Sequence, residues 1–420
     1  MTSQITESAN ASPPNEGTTN LFDSWLDAAG PVALRLRQRL LPVEADENGR
    51  GVIFPPTYAD IGYNIDTLAD GTRVATIDTV GSQANRLEPI FKKAPDGQPA
   101  NPLACVVPQI EIVLHKKGAA NGNDGTDQHV ERRSILDLAH RSADAVVLAS
   151  PTLAGEVAKA FEALRSKGNA TPLCAIAPTS LVFGVWDSRG GSGEKRPRLV
   201  RSIIRAWDVD VLHSAAQFNS VWKALSEEQK KELEKEAQTK KVRLSVKGFA
   251  DAPATFRTDK VRQFFDDGPN PEARVLGGVL ANGPIERDVT INLVALRGLR
   301  GKDAEETKQV QKYLLGLALL AATADLELFL REGCLLRYAD KEDAWTAVPR
   351  RGEPSKEKLS LPNKDELRNV ARAGRSYFTA QWPEGLKKDG QPWLEYNFDL
   401  TTAKRLLAKK DEDSPAGEQG

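Results

Sequence analysis

Four histidines (His115, His129, His140 and His213) and three cysteines (Cys105, Cys174 and Cys334) are the residues of this 420-residue chain best suited to acid–base, nucleophilic or metal chemistry. Their spacing supports none of it. No histidine pair forms HExxH and no CxxC is present, and an odd, widely spaced cysteine set gives neither a disulfide framework nor a zinc site. His140 and Asp144 stand four apart, the spacing of a helix-surface pair. Gly190 to Lys195 is glycine-rich and ends in lysine, yet lacks the GxxxxGK[ST] spacing that cradles phosphates. Ser180 lies in Pro178-Thr179-Ser180-Leu181, which is not the GxSxG of a hydrolase elbow. No catalytic residue, metal site or cofactor is therefore expected, and free cysteines fit a reducing cytoplasm.

Binding chemistry is better represented. The net charge is only −1, but it is unevenly spread. Lys195, Arg196, Arg198, Arg201 and Arg205 fall in one stretch with no acidic residue among them, and Arg287, Arg297, Arg300 and Lys302 form a second cluster. Asp411, Glu412, Asp413 and Glu418 carry part of the balancing acid after Lys409 and Lys410. Local patches of this kind are the footprint of a nucleic-acid binder. Trp186 and Trp207 flank the first cluster, where an indole either stacks on bases or fills the core. Lys247-Gly248-Phe249-Ala250 opens like the RNP1 signature, departs from it at Asp251, and reads as the end of a strand.

The elements that must position these residues form a mixed set. Phe22 to Leu41 reads as an amphipathic helical region stopped by Pro42. Thr72 to Val80 and Val106 to Leu114 read as strands, and Gly118 to Asp127 as a mobile loop. Ser134 is placed to cap a helix over Leu136 to Leu148, with Asp137 and Arg141 paired at i, i+4, and Leu153 to Leu164 forms a second helix ended near Gly168. Leu199 to Val211 fits a strand or a helix face, with strand preferred. Ser226 opens an S-x-x-Q start to a charged helix reaching Lys241, an exposed insertion. Val242 to Phe249 and Val289 to Leu296 alternate like strands, and Ala304 to Arg331 reads as one long helix. The longest apolar stretch, near Leu314 to Ala324, is interrupted by Gly316 and Thr323 and falls short of the roughly 20 residues of a membrane span. The expected organisation is a disordered tail over 1–20, one α+β domain over 21–400 with the charged insertion at about 226–241, and a charged tail over 401–420.

Four blocks then stand out together: Asp78 to Pro89 (DTVGSQANRLEP), Asp137 to Arg141 (DLAHR), Ile176 to Arg189 (IAPTSLVFGVWDSR) and Arg196 to Ala206 (RPRLVRSIIRA). In this order they resemble the RAMP-superfamily Cas seven-type backbone subunit of the type I-G (formerly I-U) CRISPR Cascade, over roughly Asn20 to Leu400. The resemblance implies an RRM-like (ferredoxin-like) palm with large helical and loop insertions. It implies several copies stacked along one crRNA, without cutting the target DNA reached through the guide. The implied partners are crRNA, other copies of the chain, a Cascade large subunit, a guide-processing subunit and a recruited helicase-nuclease. Guide sequence varies, so phosphate and 2′-hydroxyl contacts suit the task better than base readout. The residues matching the blocks that suit this are Gln83, Asn85, Arg86, Arg189, Arg198, Arg201 and Arg205. Ser82, Gln83 and Asn85 serve equally to satisfy a tight turn after Gly81, whereas for Arg201 and Arg205 RNA contact is preferred over a solvated strand edge. Two other functions remain open: a metal-dependent RAMP ribonuclease using Asp251 or Asp259, and a metabolic enzyme with scattered catalytic residues.

Overall fold

A computed structural model describes residues 15–58, 61–116, 129–186, 195–213, 221–242, 244, 249, 276–341, 343–353 and 358–408. Its frame is an eight-stranded antiparallel sheet, curled as a half-barrel. The strands are β1 (Ala33–Pro42), β2 (Ile65–Thr67), β3 (Arg73–Asp78), β4 (Val200–Trp207), β5 (Ile285–Asn292), β6 (Phe329–Arg331), β7 (Cys334–Tyr338) and β8 (Trp345–Val348). Their order is β6-β7-β1-β5-β4-β3-β2, with β8 pairing the first half of β1 where β7 does not reach.

Period-two alternation makes these strands. Leu34, Leu36, Gln38 and Leu40 of β1 are buried while Arg35, Arg37 and Arg39 are exposed. The same holds for Ile285, Arg287, Val289 and Ile291 of β5. The stretch expected to be helical up to Leu41 is thus a helix, α1 (Glu16–Leu26), followed by the strand β1. Arginines at every second position form no apolar stripe of period 3.6, which is why the strand wins. Because α1 starts at Glu16 under an Asn15 cap, residues 16–20 of the expected tail are helical.

Helices cover the buried face: α2 (Val80–Leu87), α3 (Pro151–Lys167), α4 (Thr171–Ile176), α5 (Pro178–Phe183) and α7 (Ala304–Ala322), with α8 (Lys364–Ala380) packed on α7. Gly374 lets α8 approach closely, since a Cβ there would lie 2.6 Å from the Tyr313 ring. Charged α6 (Glu227–Thr239) has the expected Ser226–Gln229 capping box and buries Ala237. The expected helix over 136–148 is instead three short pieces: Ser134 caps a 3-10 turn at Ile135–Asp137, a second turn spans Arg141–Ala143, and Asp144 caps Ala145–Leu148. Arg141, at φ 53, breaks the run. The Asp137–Arg141 pair is not made, because Asp137 meets Lys92 and Arg141 meets Glu88. His140 meets Asp144 through its backbone N–H, at 3.3 Å, and not through its ring.

Three boundaries also shift. The strand expected over 106–114 starts at Glu111, β5 gives way to a helical turn at Leu293–Arg297, and the long helix ends at Ala322 so that Phe329–Arg331 can join the sheet. The Gly118–Asp127 loop, the Gly190–Gly193 link, most of Val242–Phe249 and the tail beyond Ala408 lie outside the described residues.

Under the middle of the sheet the core is polar. Arg287 is fully buried, donating from Nε to Gln83 Oε1 and Ser202 Oγ, both at 3.1 Å, and from Nη1 to Gln38 Oε1 at 2.7 Å. Each glutamine passes the contact on to a carboxylate: Gln83 Nε2 donates to Asp78 Oδ2 at 2.7 Å and Gln38 Nε2 to Asp343 Oδ1 at 2.6 Å. Removing a relay strips a buried charge of one of its three partners and of its link to a carboxylate, a costly kind of loss. Gln83→Ala should therefore lower stability by about 3 kcal/mol, whereas Asn85→Ala, two residues on but exposed, should change it by less than about 0.5 kcal/mol. Urea denaturation followed by tryptophan fluorescence reads both; equal midpoints would mean that the network does not hold the sheet.

Candidate nucleic-acid interface

The exposed face of the same sheet carries the cations. Pairing across β1, β5 and β4 aligns three rows: Arg35–Thr290–Arg201, Arg37–Asp288–Ile203 and Arg39–Glu286–Arg205. Successive rows lie about 6.8 Å apart along the strands. Five arginines thus share a surface with two carboxylates, and Arg337 on β7, opposite Leu41, extends it. Asp288 accepts from Arg35 Nη2 at 2.9 Å and Arg37 Nε at 3.1 Å, and these neighbours hold its carboxyl below the usual range against the opposing effect of burial. Arg39, Arg201, Arg205 and Arg337 make no ion pair among the described residues, so their charge is free to attract an anion. Beside Arg39 a cleft of about 360 Å³ opens between Asn48, Arg50, Asn282 and Gly283. Trp207 is half-buried on the same face, two residues beyond Arg205.

The residues singled out from the sequence divide between places. Arg201 and Arg205 share the arginine face. Gln83 lies beneath the sheet, fully buried, with both ends of its amide engaged. Arg86 bonds Asp78 at 3.1 Å and the Leu330 carbonyl at 2.7 Å, tying α2 to edge strand β6. Asn85 is exposed on α2, and Arg198 is exposed between the Val185–Trp186/Lys195–Arg196 hairpin and β4. Arg189, Asp251 and Asp259 lie outside the described residues. Arg35, Arg37 and Arg39 escape a helical reading of their segment; the signal that finds them is the alternation ALRLRQRLL.

The first three blocks meet in a second buried polar web. Glu88 of the first block pairs with Arg141 of the second at 2.5 Å, both nearly inaccessible. Arg141 also donates to the Gly184 carbonyl at 3.2 Å and lies over the Phe183 ring, reaching the third block. Ser142 and Ser180 share a hydrogen bond of 2.8 Å. Gly184, at φ 79, is required there because a Cβ would stand 2.8 Å from Arg198 Cγ and 3.0 Å from the Arg196 carbonyl oxygen. The first block reaches the fourth through Gln83 and Ser202, at 2.7 Å.

Among the described residues no three His, Cys, Asp or Glu side chains converge as a metal site, and no helix is long and apolar enough to cross a membrane. Burial pushes the Glu88 carboxyl up to about 7, against the pull of Arg141. Since folding raises this pKa, the stability it brings is present below about pH 4.5 and lost as pH rises through 7. Glu88→Gln stays neutral throughout, so its urea midpoint relative to wild type should rise between pH 5 and 8. Parallel pH profiles for the two proteins would assign the pH response to other groups.

A search of curated proteins returns no match. Residues 34–211, which run from β1 through β4 and contain all four blocks, match the family described as CRISPR-associated protein GSU0053, a Cas seven-type family, and this similarity supports a CRISPR-associated protein.

Proposed function

We propose that this protein is a non-catalytic, crRNA-binding backbone subunit of a type I-G CRISPR Cascade, acting in the cytoplasm in antiviral defence. The observation that carries the reading is the exposed arginine face, where Arg39, Arg201 and Arg205 have no acidic partner among the described residues. Guanidinium groups bind phosphate in a fixed geometry without reading bases, as a subunit serving any guide requires. The strand order agrees with an RRM-like palm. Strands β1, β4, β5 and β7 lie as β7-β1-β5-β4, with helices α2 to α5 between β1 and β4 and helix α7 between β5 and β7, a β-α-β-β-α-β sequence. The similarity to a CRISPR-associated family covers the half of the palm that carries Arg35, Arg37, Arg39, Arg201 and Arg205.

In this role copies of the chain stack along one guide beside the large and guide-processing subunits. Target DNA is read by the guide, and cleavage belongs to the recruited helicase-nuclease. Arg198, beside the base of the Val185–Trp186/Lys195–Arg196 hairpin, extends the RNA path, with Asn85 on α2 and Arg189, which lies outside the described residues, as further candidate contacts.

Purification after co-expression with a CRISPR array should give a large assembly holding a protected RNA of guide size. The triple variant Arg39→Ala, Arg201→Ala and Arg205→Ala should bind unrelated RNA sequences with similarly weakened affinity. Its log-affinity against log-salt slope should be shallower by about 2, at about 0.7 for each phosphate that is no longer neutralised. A weakening confined to some sequences would indicate base readout, and an unchanged slope would place the RNA elsewhere.

A further inference from the structure

The two carboxylates on the arginine face are engaged differently. Asp288 is taken up by Arg35 and Arg37. Glu286 accepts no hydrogen bond from a described residue, and its nearest cation is Arg37 Nε at 3.7 Å. It stands directly between Arg39 on β1 and Arg205 on β4, neither of which closes on it. Directly opposed positions are within reach of such side chains, and this row instead keeps two donors and an acceptor side by side on the surface. Its side chain is 16% exposed, between exposed Arg39 and half-buried Arg205.

A bare carboxylate in the middle of a phosphate-binding surface repels the ligand unless it meets a donor there. The group lying between two phosphates of a strand is the sugar. Ribose presents a 2′-hydroxyl that donates to a carboxylate, and deoxyribose presents nothing. We infer that Glu286 is a sugar-discriminating residue: its carboxylate accepts a hydrogen bond from a ribose 2′-hydroxyl while Arg39 and Arg205 hold the flanking phosphates. RNA gains a charge-assisted hydrogen bond, and DNA meets a carboxylate to which it can donate nothing, so attraction and repulsion act in the same direction. The inference rests on the reading of this face as RNA-binding.

Fluorescence anisotropy on the full chain tests it with oligouridylate, the 2′-deoxy strand and the 2′-O-methyl strand. The proteins are wild type, Glu286→Gln, Glu286→Ala and the double variant Arg39→Ala with Arg205→Ala, each checked for an unchanged melting temperature. Wild type should bind the ribose strand about tenfold more tightly than either modified strand, the worth of one charge-assisted hydrogen bond. In Glu286→Ala the ratio should fall to near one, mainly because the deoxy strand binds more tightly. Glu286→Gln, isosteric and still an acceptor, should lie between. A ratio unchanged in Glu286→Ala, with both strands weakened in the double arginine variant, overturns the Glu286 assignment and leaves the RNA-binding face standing. Failure of the wild type to bind any strand, or of the double variant to weaken binding, overturns the reading of the face and the assignment with it.

Discussion

A guanidinium buried in the middle of a sheet must be given partners, and the need to satisfy Arg287 organises the frame of this protein. Moving such a charge out of water costs several kcal/mol even after relaxation, and burial pulls its pKa below the ordinary arginine range. The compensation comes from two strands and a helix: Gln38 on β1, Ser202 on β4 and Gln83 on α2 converge on the β5 side chain. Both glutamines point their oxygens at the cation and their amide nitrogens at an aspartate. Arg287 is thereby balanced by Asp78 and Asp343 without a direct ion pair to either. Asp78, fully buried, is held in turn by Ser82, Arg86 and Arg331, which brings edge strand β6 into the same web.

This arrangement changes what the most distinctive sequence blocks mean. SQANRLEP reads as a string of polar groups suited to contact a ligand. Three of its members, Ser82, Gln83 and Arg86, face Asp78, and a fourth, Glu88, closes on Arg141 of the next block. Serine, glutamine and arginine stand there because a buried polar web admits few substitutes: each donor must be matched to an acceptor, and a mismatch costs a full desolvation penalty. The blocks connect the chain to itself, and the cations of β1 and β4 are the ones left facing outward.

How much of this is legible depends on how far apart in the chain the partners are. Strand β3, strand β4, the Ser226 cap and the Gly168 end of α3 follow from local signals, period two or a capping residue, and the structure has them. Strand β1 reads as a helix although ALRLRQRLL alternates, because Pro42 ends a helix and a strand equally well. Arg287 reads as one of a basic cluster, since nothing near it in sequence announces that Gln83, 204 residues away, will meet it inside the fold. Arg141 has an aspartate four residues before it, and its left-handed backbone and distant glutamate are tertiary outcomes. Local rules place elements; the polar partners across them are set by topology.

The two faces of the sheet are tied together by one register. Arg287 lies between Glu286 and Asp288, so the strand position that points the buried guanidinium into the web also sends both carboxylates outward among Arg35, Arg37, Arg39, Arg201 and Arg205. A slip of one residue in β5 would bring two carboxylates under the sheet and one arginine outside it, reversing the charge of both faces. The inner network therefore specifies more than stability. By fixing the register of β5 against β1 and β4, it sets which cations stand opposite which acids on the exposed face, and hence which of them are neutralised there and which keep their charge.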